Sequence, residues 1–165
     1  MIWSIVIVEA LIFMALFTAL VTLPMIKHPE VGVHNYPPEI QEEYFKTHER
    51  IPTAPLDART IVLKAFGIIL FTAVLTGGAL FANAQTFWDG ALFAAVLFGI
   101  VGAWDTFFID WVLFAHLKSF RLPGTEHMDK EYARKWFHVK GMLFPGLLFL
   151  VIISALTGFL VAIIR

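Results

Sequence analysis

The chain has no cysteine, which excludes a disulfide framework, thiol catalysis and a thiolate metal site. Charge is also scarce. Lys, Arg, Asp and Glu make up 15% of the 165 residues and the net charge is −1. Such a chain lacks the basic footprint of a nucleic-acid binder, so nucleic acid is not an expected partner. Repeats and low-complexity stretches are missing too. What is abundant is hydrocarbon: 59% of the side chains are hydrophobic and the mean hydropathy is +0.78, outside the range of an ordinary water-soluble domain.

The apolar residues fall into four long runs, at about 2–25, 60–82, 90–117 and 137–164. Each reaches the ~20 residues that a helix needs to cross the hydrocarbon core. The expected fold is therefore all-α, a single transmembrane domain over 1–165 built as a bundle of four spans, with the lipid bilayer as its first partner. The opening Met1-Ile2-Trp3-Ser4 has no basic n-region and the run after it is too long for a cleavable signal, so the first run reads as a retained span.

The basic residues set an orientation. Lys27, Lys46, Arg50 and Arg59 lie between runs one and two, and Lys118, Arg121, Lys130, Arg134, Lys135 and Lys140 lie between runs three and four or at the start of the fourth. The connection from Asn83 to Asp89 has neither Lys nor Arg. The positive-inside rule then places loops one and three in the cytoplasm and both termini outside.

Neither long loop reads as a plain linker. After Pro24 and Pro29, expected to stop the first span, Pro37-Pro38 opens a short helix with Ile40, Tyr44 and Phe45 on one face. Pro52 and Pro55 interrupt the chain before Asp57 and Thr60, which suit the start of span two. In loop three, Leu122-Pro123-Gly124 is a turn signal and Thr125 is a candidate cap for a helix whose Met128, Tyr132, Trp136 and Val139 recur at helical spacing. Both loops are thus expected to carry short amphipathic interfacial helices, with Tyr132 and Trp136 as boundary anchors. Gly67, Gly77, Gly78, Gly99 and Gly102 mark close helix approach, and Pro145 a kink in span four.

Charge inside the apolar runs carries the functional signal, because an ionisable residue at the bilayer centre costs about 2.5 to 3.5 kcal/mol on insertion scales and calls for a partner. Four such residues stand out: Glu9, Lys64, Asp105 and Asp110. On an α-helix, Asp105 and His116 are about 20° apart around the axis, whereas Asp110 is about 140° round from Asp105. A second helix must then serve at least one carboxylate. Lys64 has the matching depth for Asp105, and Asp110 groups with His116 and His138 near the cytoplasmic boundary. The two histidines are candidate ligands for a transition metal or haem, although no HExxH and no di-iron Glu-x-x-His pair is present.

Between Asp105 and Gly141 the run Ile109-Asp110-Trp111, His116-Leu117-Lys118, Arg121-Leu122-Pro123-Gly124-Thr125-Glu126, Met128, Tyr132 and Phe137-His138-Val139-Lys140-Gly141, echoed by Asn35-Tyr36-Pro37-Pro38-Glu39-Ile40-Gln41, resembles a group of small bacterial four-span integral membrane proteins. The resemblance implies a prokaryotic inner membrane and no particular activity. Three functional readings follow. The first is a non-enzymatic structural, ligand-binding or complex-docking membrane protein, either a homo-oligomer or part of a larger membrane complex. The second is a metal- or haem-binding enzyme or redox subunit using His116 and His138. The third is a small proton-coupled transporter with its path through Glu9, Lys64, Asp105 and Asp110.

Overall fold

A computed structural model describes residues 1–53 and 57–165; Pro55 lies outside them. The described residues are helical and turn segments with no strand. Helix α1 spans Trp3–Lys27, α2 Pro38–Tyr44, α3 Ala58–Phe81 and α4 Phe87–Trp104. After α4 a π-helical stretch runs over Asp105–Phe114, and the short α5 (Asp129–Tyr132), α6 (Lys135–Gly141) and α7 (Leu147–Ile164) complete the order. Four helical stretches are long and apolar enough to cross a membrane: Trp3–Lys27, Ala58–Phe81, Phe87–Phe114 and Asp129–Ile164.

Local chemistry explains most of the boundaries. Asp57 caps α3, its carboxylate accepting a 2.7 Å bond from the Thr60 amide. That bond holds the Asp57 carboxyl below the usual carboxylate range. Asn83, in the left-handed region at φ 61°, turns the chain out of α3. A reciprocal cap then opens α4: the Asp89 amide donates to Thr86 Oγ1 at 3.1 Å, and the Asp89 carboxylate accepts from the Thr86 amide at 3.2 Å. Helix α1 continues through Pro24 to Lys27 instead of stopping there, and Pro29 starts a 3₁₀ turn, Pro29–Asn35. Span four is broken more sharply than a kink. Phe144 is extended (φ −145°, ψ 118°) immediately before Pro145.

Contacts gather into two compact groups. The first takes in Met1–Met14, α3, α4 as far as Gly102, and α7. Small residues and hydroxyls, Ala10, Ala79, Ala94, Thr72, Thr76, Ser154 and Thr157, share its interior with Val6, Leu75, Phe93, Leu97, Ile153 and Val161. Many other large side chains are exposed, including Leu11, Val62, Phe66, Ile69, Val151 and Phe159. That exposure suits helices surrounded by hydrocarbon, where a buried Leu gains little and close backbone approach gains much. Thr72 and Thr76 bond back to the carbonyls of Ile68 and Thr72, so their hydroxyls do not compete for partners.

The tightest approach is at a glycine pair that the sequence pattern did not single out. A Cβ on Gly158 would lie 2.6 Å from the Phe87 carbonyl oxygen, and one on Gly90 2.8 Å from Val161 Cγ2 and 3.1 Å from the Gly158 Cα. Gly78 is crowded as well, by Phe93 at 2.9 Å and Glu9 Oε1 at 3.1 Å. Gly67, Gly77, Gly99 and Gly102, read as close-approach positions, have nothing within 4 Å of such a Cβ.

The second group comprises Ala15–Thr53 and Ala103–Leu143. Val33, Tyr36, Ile40, Tyr44, Phe114, Phe120, Leu122 and Tyr132 form its core. Helix α2 supplies Ile40 and Tyr44 on its buried face, as its apolar stripe predicts. The turn at Leu122-Pro123-Gly124 is also present, with the Thr125 amide bonded to the Leu122 carbonyl at 3.0 Å and Gly124 at φ 86°, the type II arrangement. Loop three departs from its expected form beyond that turn. Thr125 caps nothing, and the helix is interrupted between Tyr132 and Lys135, so Tyr132 is 1% exposed while Trp136 is 73% exposed. Tyr132 is therefore a core residue and not a boundary anchor.

Substitution at the two kinds of glycine should separate them. Gly158→Ala is expected to lower unfolding stability in detergent micelles by about 1 to 3 kcal/mol, the range of overpacking. Gly77→Ala is expected to leave stability unchanged or raised by up to about 1 kcal/mol through the unfolded chain. Equal effects in thermal unfolding would remove the Gly90–Gly158 contact from the account.

Candidate functional site

The π-helical stretch changes the geometry of the acids in the third apolar run. Its hydrogen bonds run from residue i+5 back to residue i, as in the Ala115 amide bonding to the Asp110 carbonyl. Asp105 and Asp110 are thereby one turn apart along a single strand of helix, and the 140° separation computed for an α-helix does not apply. One helix does carry both carboxylates to a common region. Thr106 and Ile109 are buried between them, and Trp104 stacks on Phe108 at 4.2 Å while donating its Nε1–H to Thr18 Oγ1 at 2.9 Å.

Helix α6 packs on this stretch and brings in His138. Its Nδ1 lies 3.2 Å from Asp110 Oδ2, with side-chain exposures of 9% and 21%. Asp105 is within electrostatic reach of both. The imidazole also meets the Phe114 ring edge-on at 5.1 Å. Its Nε2 is buried and has no hydrogen-bond partner. One carboxyl and one imidazole therefore meet in an apolar segment, with Asp105 in their field, and one ring nitrogen is left open.

The other sequence candidates lie elsewhere. His116 is exposed beyond the end of the π-helical stretch. Lys64 is exposed on α3 among Leu63, Phe66 and Val62 and enters no ion pair among the described residues. A lysine on an apolar helix side can extend its stem toward a polar boundary, which removes the need for a carboxylate partner. Glu9 is half-buried in the first group, against Gly78 and Phe93, with Oε2 unpartnered. Among the described residues no three His, Asp or Glu side chains are arranged as metal ligands.

A second polar centre was hidden in the loops. Arg121 is buried; its Nη2 donates to the Ala115 carbonyl at 2.9 Å and to Asp129 Oδ1 at 3.0 Å, and its guanidinium lies 3.8 Å from the centroid of the Tyr132 ring. The Tyr132 hydroxyl accepts from the Leu122 amide at 3.0 Å and shares a 2.8 Å bond with Thr125 Oγ1. Tyr36 donates to the Phe120 carbonyl at 2.9 Å, 84 residues away. Burial, then the nearby Tyr132, pushes the Tyr36 phenol far above its ordinary range, so it remains a donor at any ordinary pH. At the rim, Arg134 donates to Glu39 at 2.7 Å and holds that carboxyl below the usual range. A lowered folded-state value means that the Glu39 contribution is present above the unfolded pKa and is lost as the pH falls through the folded one.

Tyr36, Arg121, Leu122, Thr125 and Tyr132 are thus buried together.

No family model, curated protein or solved structure matches this chain.

Two measurements check the site. A double-mutant cycle on Asp110→Asn and His138→Gln is expected to give a coupling of about 1 to 3 kcal/mol in unfolding stability; additive effects would mean that the 3.2 Å pair contributes nothing. Tyr132→Phe, which strands the Leu122 amide while the Thr125 hydroxyl keeps its bond to the Leu122 carbonyl, is expected to cost about 1 to 3 kcal/mol in the same assay. A loss under about 0.5 kcal/mol, the scale of a neutral surface change, would contradict that role.

Proposed function

We propose that the chain is a non-enzymatic four-span bundle of a prokaryotic inner membrane, with loops one and three cytoplasmic, and that Asp105, Asp110 and His138 are its proton-binding site. The observation that carries this reading is the buried, unpartnered Nε2 of His138 beside two carboxyls. With Asp110 facing Nδ1, a neutral imidazole keeps its proton there and presents a lone pair at Nε2. Every open polar atom in the cluster is then an electron-pair donor, and its complement is a positive charge. An ionisable cluster within an apolar span is a costly arrangement that structure alone does not require.

The same observation supports a second reading, a transition metal bound at Nε2, because a metal-ligating histidine commonly offers its other ring nitrogen to a carboxylate. It would use His138 with Asp105 or a ligand from a further molecule, and not the His116–His138 pair.

Infrared difference spectra of the reconstituted protein between acid and alkaline pH test the first reading. A protonated-carboxyl band is expected in the parent protein, reduced in Asp105→Asn and shifted in His138→Gln. Identical spectra in all three would sink proton binding at this site. Stoichiometric metal in the purified protein, lost in His138→Ala, would instead establish the second reading.

A further inference from the structure

The two elements that hold the acids and His138 also form an open groove that the proton-binding site does not use. Phe107 and Trp111 of the π-helical stretch and Lys135, Trp136 and Val139 of α6 line a volume of about 470 Å³. That is within the ~300 to 1,000 Å³ typical of small-molecule sites. Four lining side chains are apolar or aromatic, the fifth is a lysine, and none is acidic. The Lys135 ammonium lies 4.8 Å from the centroid of the Trp111 ring, a cation–π contact that ties the charge to a groove-lining ring. The Trp111 Nε1–H is buried and has no acceptor in the protein. Phe107 and Trp136 are 51% and 73% exposed.

We propose that this groove binds one anionic phospholipid, its acyl chain along Phe107, Trp136 and Val139 and its phosphate on the Lys135 ammonium. The charge complementarity is specific. An apolar trough with a lone cation at its edge fits a molecule that is hydrocarbon at one end and anionic at the other. A zwitterionic headgroup would bring a second cation toward Lys135, and an uncharged lipid would leave the ammonium without a counter-ion. Lys130, Arg134 and Lys140 flank the groove residues in sequence and add to the field that attracts anionic lipid. The inference rests on the membrane-spanning reading of the chain.

Native mass spectrometry of the delipidated full chain in detergent, titrated with phosphatidylglycerol or phosphatidylcholine, tests it. Phosphatidylglycerol is expected to bind at one site, more tightly than phosphatidylcholine. Lys135→Gln is expected to weaken it by about fivefold, the scale of one surface lysine, without changing phosphatidylcholine. Trp136→Ala, an exposed change, is expected to weaken both lipids, whereas Lys118→Gln, outside the groove, should change neither. Equal binding of the two lipids, or no response to Lys135→Gln, overturns the proposal. So does glycerol phosphate binding as tightly as the lipid, or a dimer that Trp136→Ala dissociates, because the occupant would then be a free anion or a second copy. Alkaline carbonate extraction of the expressed protein from membranes separates the two levels of failure. A chain that stays in the pellet but ignores Lys135→Gln refutes the lipid site alone, and a chain that is released refutes the membrane reading and the lipid site with it.

Discussion

A helix long and apolar enough to cross hydrocarbon has to satisfy its backbone hydrogen bonds within the segment, and the way this chain does so over Asp105–Phe114 governs much else. A π-helical register keeps the backbone bonded while re-aiming the side chains. Two acids that an α-helix would turn to different sides instead follow one another along a common side. The same register sets Trp111 against Lys135 and Phe114 against His138. The Asp110–His138 pair and the aromatic groove both depend on that change in backbone spacing.

The two compact groups solve different solvation problems with different chemistry. The first draws its helices together at Gly78, Gly90 and Gly158 and leaves many of its large side chains exposed, because dispersion at close approach is the main gain available among apolar surroundings. The second has a core closer to that of a water-soluble domain, with large rings packed edge to face around Tyr36, Phe114 and Tyr132. Arg121 sits inside it as a permanent charge, tolerated because a carbonyl, a carboxylate and an aromatic face surround the guanidinium.

Length and hydropathy were enough to read the four apolar helices, since each run exceeds what a span requires. Short-range chemistry was equally legible: the Asp57 cap, the Pro38 start of α2 and the Gly124 turn depend on residues at most four positions apart. The π register was not, because its signature is a shifted backbone bond and the side-chain pattern around Asp105 is compatible with an α-helix. Counting 100° per residue through that stretch misplaced Asp110 relative to Asp105. The glycines show the same limit. Gly77 and Gly158 look alike in sequence, and only the helix opposite distinguishes them. Lys64 was matched to Asp105 by depth alone, a one-dimensional coordinate that says nothing about which way a lysine faces. In the loops, Tyr132 was read as an anchor because a helical stripe was extended through Ala133 and Arg134, where the helix in fact breaks.

The bond from Tyr36 to the Phe120 carbonyl has a consequence for the order in which the molecule is made. Its two ends are separated by 84 positions, and Arg134 and Glu39, 95 apart, repeat the connection at the rim. A ribosome releases Tyr36, Ile40 and Tyr44 long before Phe120, Leu122 and Tyr132 exist. During that interval the early aromatic residues have no core to enter. Helices α3 and α4 must be synthesised in between, so the N-terminal loop is a late-maturing part of an early-made segment. For the nascent chain, the window of vulnerability to proteases and to wrong associations opens with the first loop and closes only when the third has emerged.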